Sequence, residues 1–162
     1  DHVDHGRPVA LEPLAADLRE YPFDHTRLVQ ALYEDNALAY LRLLGVALER
    51  IELEPDVDLV WSYLTQADLA GAGVHPAEAD DLIDVVRTAR EADVAAVVKQ
   101  QLDGRFKVSM RSKGGHDVAK VASAYGGGGH RLAAGYTSPH GLTETVERLK
   151  AALRGDPVPP AR

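Results

Sequence analysis

Residues 94–111 constrain the fold more than any other stretch of the chain. Val94 to Val98 is an unbroken apolar run, and Asp103-Gly104 follows as a turn signal. Phe106, Val108 and Met110 then alternate with Arg105, Lys107, Ser109 and Arg111. Successive strand side chains point to opposite faces. The pattern therefore predicts a buried strand, a turn, and a second strand whose one face packs while the other presents three cations and a hydroxyl.

The flanking segments predict helices set against that sheet. Ile51 and Leu53, then Leu59, Trp61 and Tyr63, alternate on either side of Pro55-Asp56 and read as a hairpin. A short helix at Asp68-Leu69 ends on the Gly71-Ala72-Gly73 step. Pro76 to Arg90 reads as one helix with Leu82, Ile83, Val86 and Ala89 on its apolar side. Asp117 to Tyr125 is a helix burying Val118, Val121, Ala122 and Tyr125, and Ala133 to Thr137 closes the sheet. Leu142, Val146, Leu149 and Leu153 mark a final amphipathic helix. Upstream, three short helices form a lead-in: one after Pro13, one capped by Asp24, and one capped by Asn36 with Leu38, Leu41, Leu44 and Leu48 in a stripe. The expected architecture is mixed α/β, with about five strands in a mixed sheet and flanking helices. Residues 1–48 are read as lead-in or linker, 49–155 as the main domain, and 156–162 as a loose Pro-rich tail.

Charge narrows the function classes. The 162-residue chain carries a net −7, which argues against a general nucleic-acid coat. From Arg105 to Arg131, however, six Lys/Arg face one acid, Asp117, an excess of five positive charges. A basic island on an acidic chain suits a local anion site. The chain has no Cys, so disulfides and thiolate metal sites are excluded. No apolar run approaches the roughly 20 residues of a membrane span, and the chain reads as cytoplasmic.

The most chemically telling run is Tyr125-Gly126-Gly127-Gly128-Gly129-His130-Arg131-Leu132-Ala133-Ala134-Gly135. Glycine permits positive φ and close ligand approach. Free amides in such a loop form an anion nest, and a helical turn after it would add a partial positive charge. His130 and Arg131 would donate to a phosphate. The run fits neither a Walker loop nor a dinucleotide fingerprint, and the competing reading is a flexible linker. A second signal is Val108-Ser109-Met110-Arg111-Ser112-Lys113-Gly114-Gly115, where Arg111 grips a phosphate or stacks on a base. His116 sits beside Asp117 in a glycine-rich loop and is not counted among the ligand-binding residues. His75 and His140 are turn residues, and Asp1, His2, Asp4, His5, Asp24 and His25 show no convergence on a metal.

These two runs, with Asp117-Val118-Ala119 between them, closely resemble the DHH-associated domain, the C-terminal domain of DHH phosphoesterases. The nanoRNase and pAp/cyclic-dinucleotide phosphodiesterase group is the most similar, especially its actinobacterial forms. Looser versions of the glycine element occur in alanyl-tRNA synthetase C-terminal domains and RecJ-like exonucleases. The resemblance spans about Leu28 to Leu153 and is tight from Val108 to Thr137. It implies a two-domain, metal-dependent phosphodiesterase or oligoribonuclease acting on very short RNA, pApA-type dinucleotides or pAp. Two Mn²⁺ ions would sit in an N-terminal DHH domain and activate water. Arg111 and Gly126, Gly127, Gly128, Gly129 and His130 would hold the nucleotide, with Ser109, Lys113 and Arg131 in support.

The sequence departs from that pattern in lacking an Asp-His-His motif. The chain is therefore read as a piece of a longer enzyme, without a catalytic residue or cofactor of its own and inactive alone. Its expected partners are a short RNA or phosphorylated dinucleotide, the missing DHH domain, and a second copy of itself. Two other readings stand beside this one: a non-catalytic RNA-binding module like the synthetase appendage, and a purely structural or dimerisation domain.

Overall fold

The computed structural model describes Asp24, Thr26, Arg27, Val29, Gln30 and residues 34–155. The expected helix after Pro13, the N-terminal Asp/His cluster and the Pro-rich tail lie outside the described residues. A compact unit begins at Ala37, separate from the unit that ends at Asn36. In the earlier unit, Asp24 Oδ1 accepts the Arg27 amide at 3.1 Å, the capping bond expected of an Asp ahead of a helical turn.

From Ala37 to Gly155 the chain is a mixed α/β domain with six strands and five helices. Helix α1 (Leu38–Glu49) leads into β1 (Glu52–Glu54), a 3₁₀ turn at Pro55–Val57, and β2 (Leu59–Leu64). Helix α2 (Gln66–Ala72), a 3₁₀ turn at Pro76–Ala79 and α3 (Leu82–Val86) cross to β3 (Val94–Gln100). Then come β4 (Phe106–Ser112), α4 (Val118–Ala124), β5 (Gly128–His130), β6 (Ala133–Ser138) and α5 (Leu142–Arg154). The sheet order is β1-β2-β3-β4-β6-β5. The β2–β3 pair is parallel and the other pairs are antiparallel.

The alternation on β4 folds as read. Phe106, Val108 and Met110 are buried, and Lys107, Ser109 and Arg111 are half-buried on the other side. The buried side joins Leu59, Trp61, Val94, Ala96, Val98 and Tyr136 in a core covered by α4 (Val118, Val121, Ala122) and α5 (Val146, Leu149). On the opposite side, Val60, Ala95 and Val97 pack against Ile83 and Val86 of α3. Leu64 packs there against Leu43 and Ala47 of α1. Among the described residues the sheet is thus covered on both faces over β2 and β3, and on one face over β4 and β6.

Four local readings are corrected. Helix α1 has Ala37 at its N-cap position and no side-chain cap, so Asn36 does not cap it. Its buried side is Leu43 and Ala47, while Leu38, Leu41 and Leu48 are exposed. The buried Ser62 hydroxyl donates to the Ala47 carbonyl at 2.5 Å on the side of the helix that packs. The single helix expected over 76–90 is broken between Ala79 and Leu82. There the Asp80 carboxylate is drawn to Lys99 and Lys107 on the sheet. Finally, part of the glycine run is a sixth strand, β5.

Candidate functional site

The uncovered half-face of the sheet brings the predicted residues together. Cross-strand partners directly opposite one another share a face. Arg111 pairs with Ala133, and Ala133 with His130. Ser109 pairs with Gly135, and Gly135 with Gly128. Lys107 pairs with Thr137. With strands about 4.8 Å apart, Arg111 and His130 stand about 10 Å apart across one alanine. A basic side chain thus flanks each side of a floor made of Ala133, Gly135 and Gly128. Within the described residues neither the His130 ring nor the Ser109 hydroxyl has a hydrogen-bond partner, whereas Arg111 Nη1 donates to the Met110 carbonyl at 3.1 Å.

The glycines serve this floor differently from the expected nest. Gly126, at φ +75°, and Gly127 close α4 in a Schellman motif. The Gly126 amide donates to Ser123 O at 3.1 Å and the Gly127 amide to Ala122 O at 2.9 Å, so neither is free for an anion. Beyond them the chain makes no helical turn: β5 leads through a tight turn at Arg131-Leu132 into β6, so no helix dipole points at the site. Close backbone approach is what requires glycine here. A Cβ on Gly127 would lie 2.2 Å from Gly135 O, and one on Gly129, itself at φ +141°, 2.5 Å from Ala133 O. A Cβ on Gly135 would meet Val108 O at 2.7 Å. Strand β5 is an edge, so alternate backbone groups along it face away from β6.

Two predicted cations are engaged elsewhere. Lys113 Nζ donates to the carbonyls of Ala89 and, at 2.7 Å, Ala92. Arg131 Nη2 donates to Gly114 O at 3.0 Å. Both tie loops together at the end of β4.

Several residues that sequence reasoning passed over organise the surroundings. Asp93 accepts from Ser112 Oγ at 2.8 Å, from the Gly115 and His116 amides at 2.9 and 3.0 Å, and contacts His116 Nδ1 at 3.1 Å. Burial raises its pKa, but these donors outweigh burial and hold it at about 2. Asp93 thereby fixes the loop after β4. That loop is stitched to the β5–β6 turn by Ser112 N to Leu132 O and Val118 N to Arg131 O, both 3.0 Å. No local spacing could reveal Asp93, since its partners lie about twenty residues downstream.

Beside the open face, beneath the Pro76–Ala79 turn, Lys99 is 2% exposed and shares Asp80 with Lys107, whose Nζ is 2.9 Å from Asp80 Oδ2. Burial lowers the Lys99 pKa. Burial pushes Asp80 up, yet the two ammonium groups pull it below the ordinary carboxylate range. Asp84 Oδ1 lies 3.6 Å from Arg111 Nε. A groove of about 470 Å³ continues along the face, lined by Arg105, Lys107, Gly126, Gly127, Gly135 and Thr137. Among the described residues no three His, Cys, Asp or Glu side chains converge to hold a metal ion. The described residues therefore do not fit a two-metal centre.

Residues 56–155 match the family model of the DHHA1 domain. The chain belongs to the DHHA1 domain family. The chain is 31% identical over 142 residues to the bifunctional oligoribonuclease and PAP phosphatase NrnA of Thermus thermophilus, covering 87% of this chain and 42% of that protein. It shares its fold with an exopolyphosphatase-related protein of Bacteroides fragilis, at TM-score 0.77 and 18% identity over 90% of this chain and 43% of the other. A pGpG-specific phosphodiesterase of Vibrio cholerae aligns at TM-score 0.56 and 14% identity, over 88% of this chain and 46% of the other. The chain thus spans less than half the length of these relatives. No helix among the described residues is long and apolar enough to cross a membrane.

Proposed function

We propose that this DHHA1 domain is the substrate-binding part of a metal-dependent phosphoesterase that acts on short oligoribonucleotides or on pAp- and pApA-type nucleotides. The observation that carries the reading is the row Arg111–Ala133–His130 on an uncovered sheet face. Arg111 offers a planar, permanently charged donor set that suits phosphate oxygens. His130, exposed and without a partner, donates from the opposite side. Gly128, Ala133 and Gly135 keep the floor low enough for a phosphate or a base to lie against the backbone. Ser109 supplies a hydroxyl between the charges. Lys113 and Arg131 play a supporting part, tying the frame together through backbone carbonyls.

The two Mn²⁺ ions that activate water belong, on this reading, to a DHH domain supplied by a longer protein. The present chain orients the phosphate and hydrolyses nothing alone. Sequence likeness to a protein named for oligoribonuclease and PAP phosphatase activity supports the choice of ligand.

The test is an NMR titration of the 162-residue chain with pAp and with 5′-phosphorylated diadenylate. Shifts confined to Ser109, Arg111, Gly128 and His130, lost in Arg111→Ala, are the expected result. Saturating ligand that leaves those amides unmoved ends the proposal. Tighter binding of folded tRNA than of the dinucleotide would assign the face to RNA docking.

A further inference from the structure

The open face carries its own counter-charges, and their placement is selective. Asp80 and Asp84 lie four residues apart beside the sheet, at the break before α3 and within α3. Both reach across to the β4 cations: Asp80 to Lys107 at 2.9 Å and Asp84 to Arg111 at 3.6 Å. Lys107 and Arg111 project from this face against these two carboxylates, and the buried Lys99 of β3 shares Asp80 from beneath. The remaining side chains on the β4–β6 part of the face, Ser109, Ala133, Gly135 and Thr137, are uncharged. The five charged groups carry an excess of one positive charge, and Arg105, farther along the groove, is paired with Asp103 at 2.7 Å.

Asp80 and Asp84 differ in what their removal would do. Asp80 balances Lys99, which is 2% exposed, so its loss would strand a buried ammonium. Asp84 is exposed, shares its Oδ1 between Arg111 and Arg87 at 3.6 Å each, and balances no buried charge. An oxyanion that takes Arg111 must come alongside the Asp84 carboxylate. The repulsion it meets there grows in proportion to its own charge.

The geometry points to Asp84 as a specificity-determining residue of the phosphate site, resting on the function proposed above. It weakens every phosphate ligand on Arg111, and weakens the most highly charged ones most. A singly charged phosphodiester is penalised least and a nucleoside triphosphate most. The site is thereby kept from filling with abundant polyphosphates, a use of repulsion to set selectivity.

The experiment measures dissociation constants of the full chain for three probes: diadenosine monophosphate, its 5′-phosphorylated form, and ATP. Asp84→Asn is the test variant and Arg111→Ala the control. The expected gain on Asp84→Asn is about two-fold for the first probe, about five-fold for the second, and larger again for ATP. The gains should persist in an Arg87→Ala background, which shows that they act through Arg111 and not through a freed Arg87. If the wild-type chain binds and Arg111→Ala does not, but Asp84→Asn binds no tighter, Asp84 has no such role while the phosphate site stands. Equal gains for all three probes overturn the charge selection. If the wild-type chain binds none of the probes, the phosphate site and the role of Asp84 fall together. Thermal melting of Asp84→Asn should match wild type, since the side chain is exposed and makes no bond within the core.

Discussion

Replacing the four consecutive glycines one at a time by alanine separates a strand from a flexible loop. The surroundings of each Cβ differ sharply. At Gly128 nothing lies within 4 Å and the backbone is ordinary, so alanine should be neutral or stabilise by up to about 1 kcal/mol through a less flexible unfolded chain. At Gly126 there is also open space, but φ is +75°, so alanine should cost about 1–2 kcal/mol of left-handed strain. At Gly127 the new methyl falls 2.2 Å from Gly135 O and 2.5 Å from Tyr136 Cβ. At Gly129 it falls 2.5 Å from Ala133 O and 2.6 Å from Ala134 Cα, with φ at +141°. Backbone atoms on the partner strand cannot turn aside, so each should cost about 3 kcal/mol or the whole β5–β6 pairing, whichever is less. Urea denaturation reads the global cost, and amide exchange on Ala133, Ala134 and Gly135 reads local peeling of the edge strand. The expected order of damage is Gly127 and Gly129 well above Gly126, and Gly126 above Gly128. A flexible loop would make all four equal. Alanine at Gly127 or Gly129 that is no worse than at Gly128 refutes the strand assignment and the floor built on it.

The charges and the core give three further expected outcomes. Asp93 and Asp68 both sit at about 2, Asp93 against burial through its amide, hydroxyl and imidazole donors and Asp68 chiefly through the Arg50 hydrogen bonds at 2.6 and 2.9 Å. Folded values depressed below the unfolded 3.8 mean stability that is complete above about pH 4 and lost as pH falls toward 2, by about 2 kcal/mol for each group, as urea melts at pH 5, 3 and 2 should show; Asp93→Asn should flatten that slope. Asp80→Ala should destabilise by about 3 kcal/mol, because it leaves Lys99 buried and unpaired, and Asp80→Ala/Lys99→Met should recover most of the loss in the same melts. Tyr136 is 5% exposed with a hydroxyl that has no hydrogen-bond partner, so Tyr136→Phe should keep or raise the melting temperature; a fall of more than about 1 kcal/mol would mean that the hydroxyl is satisfied in solution.

The parts of this fold legible in the sequence are those governed by side-chain periodicity. The β4 alternation, the apolar run of β3 and the stripes of α4 and α5 each repeat at the period of their element, and each folds as that period demands. Strand β5 escaped because glycine has no side chain to alternate and little strand propensity. Its pairing is dictated by how closely two backbones approach, which composition does not express. The break before α3 escaped because the partners of Asp80 lie 19 and 27 residues away. The leucine stripe of α1 misled because the packed side runs through Leu43 and Ala47 against Leu64, Leu69 and Leu82, and partners so distant in sequence leave no trace in the local period. At the site, Arg111 and His130 were recognisable from residue type, but their shared face depends on a register through Ala133 that only pairing reveals.

That register also bears on what can cover the open half-face. Over β2 and β3, Val60, Ala95 and Val97 give α3 an apolar surface to bury. Over β4 and β6 the corresponding positions are Lys107, Ser109, Arg111, Ala133, Gly135 and Thr137. Burial stabilises by about 25 cal/mol per Å² of apolar area, and two small residues among hydroxyls and cations offer little of it. A helix docked there would also strip water from Arg111 and Lys107 without replacing it. A flat, anionic, hydrogen-bonding partner faces neither penalty: it meets the cations directly and lies on the exposed backbone between them. On the function proposed above, the same small residues that offer a helix so little to bury are what would fit this face to a nucleotide.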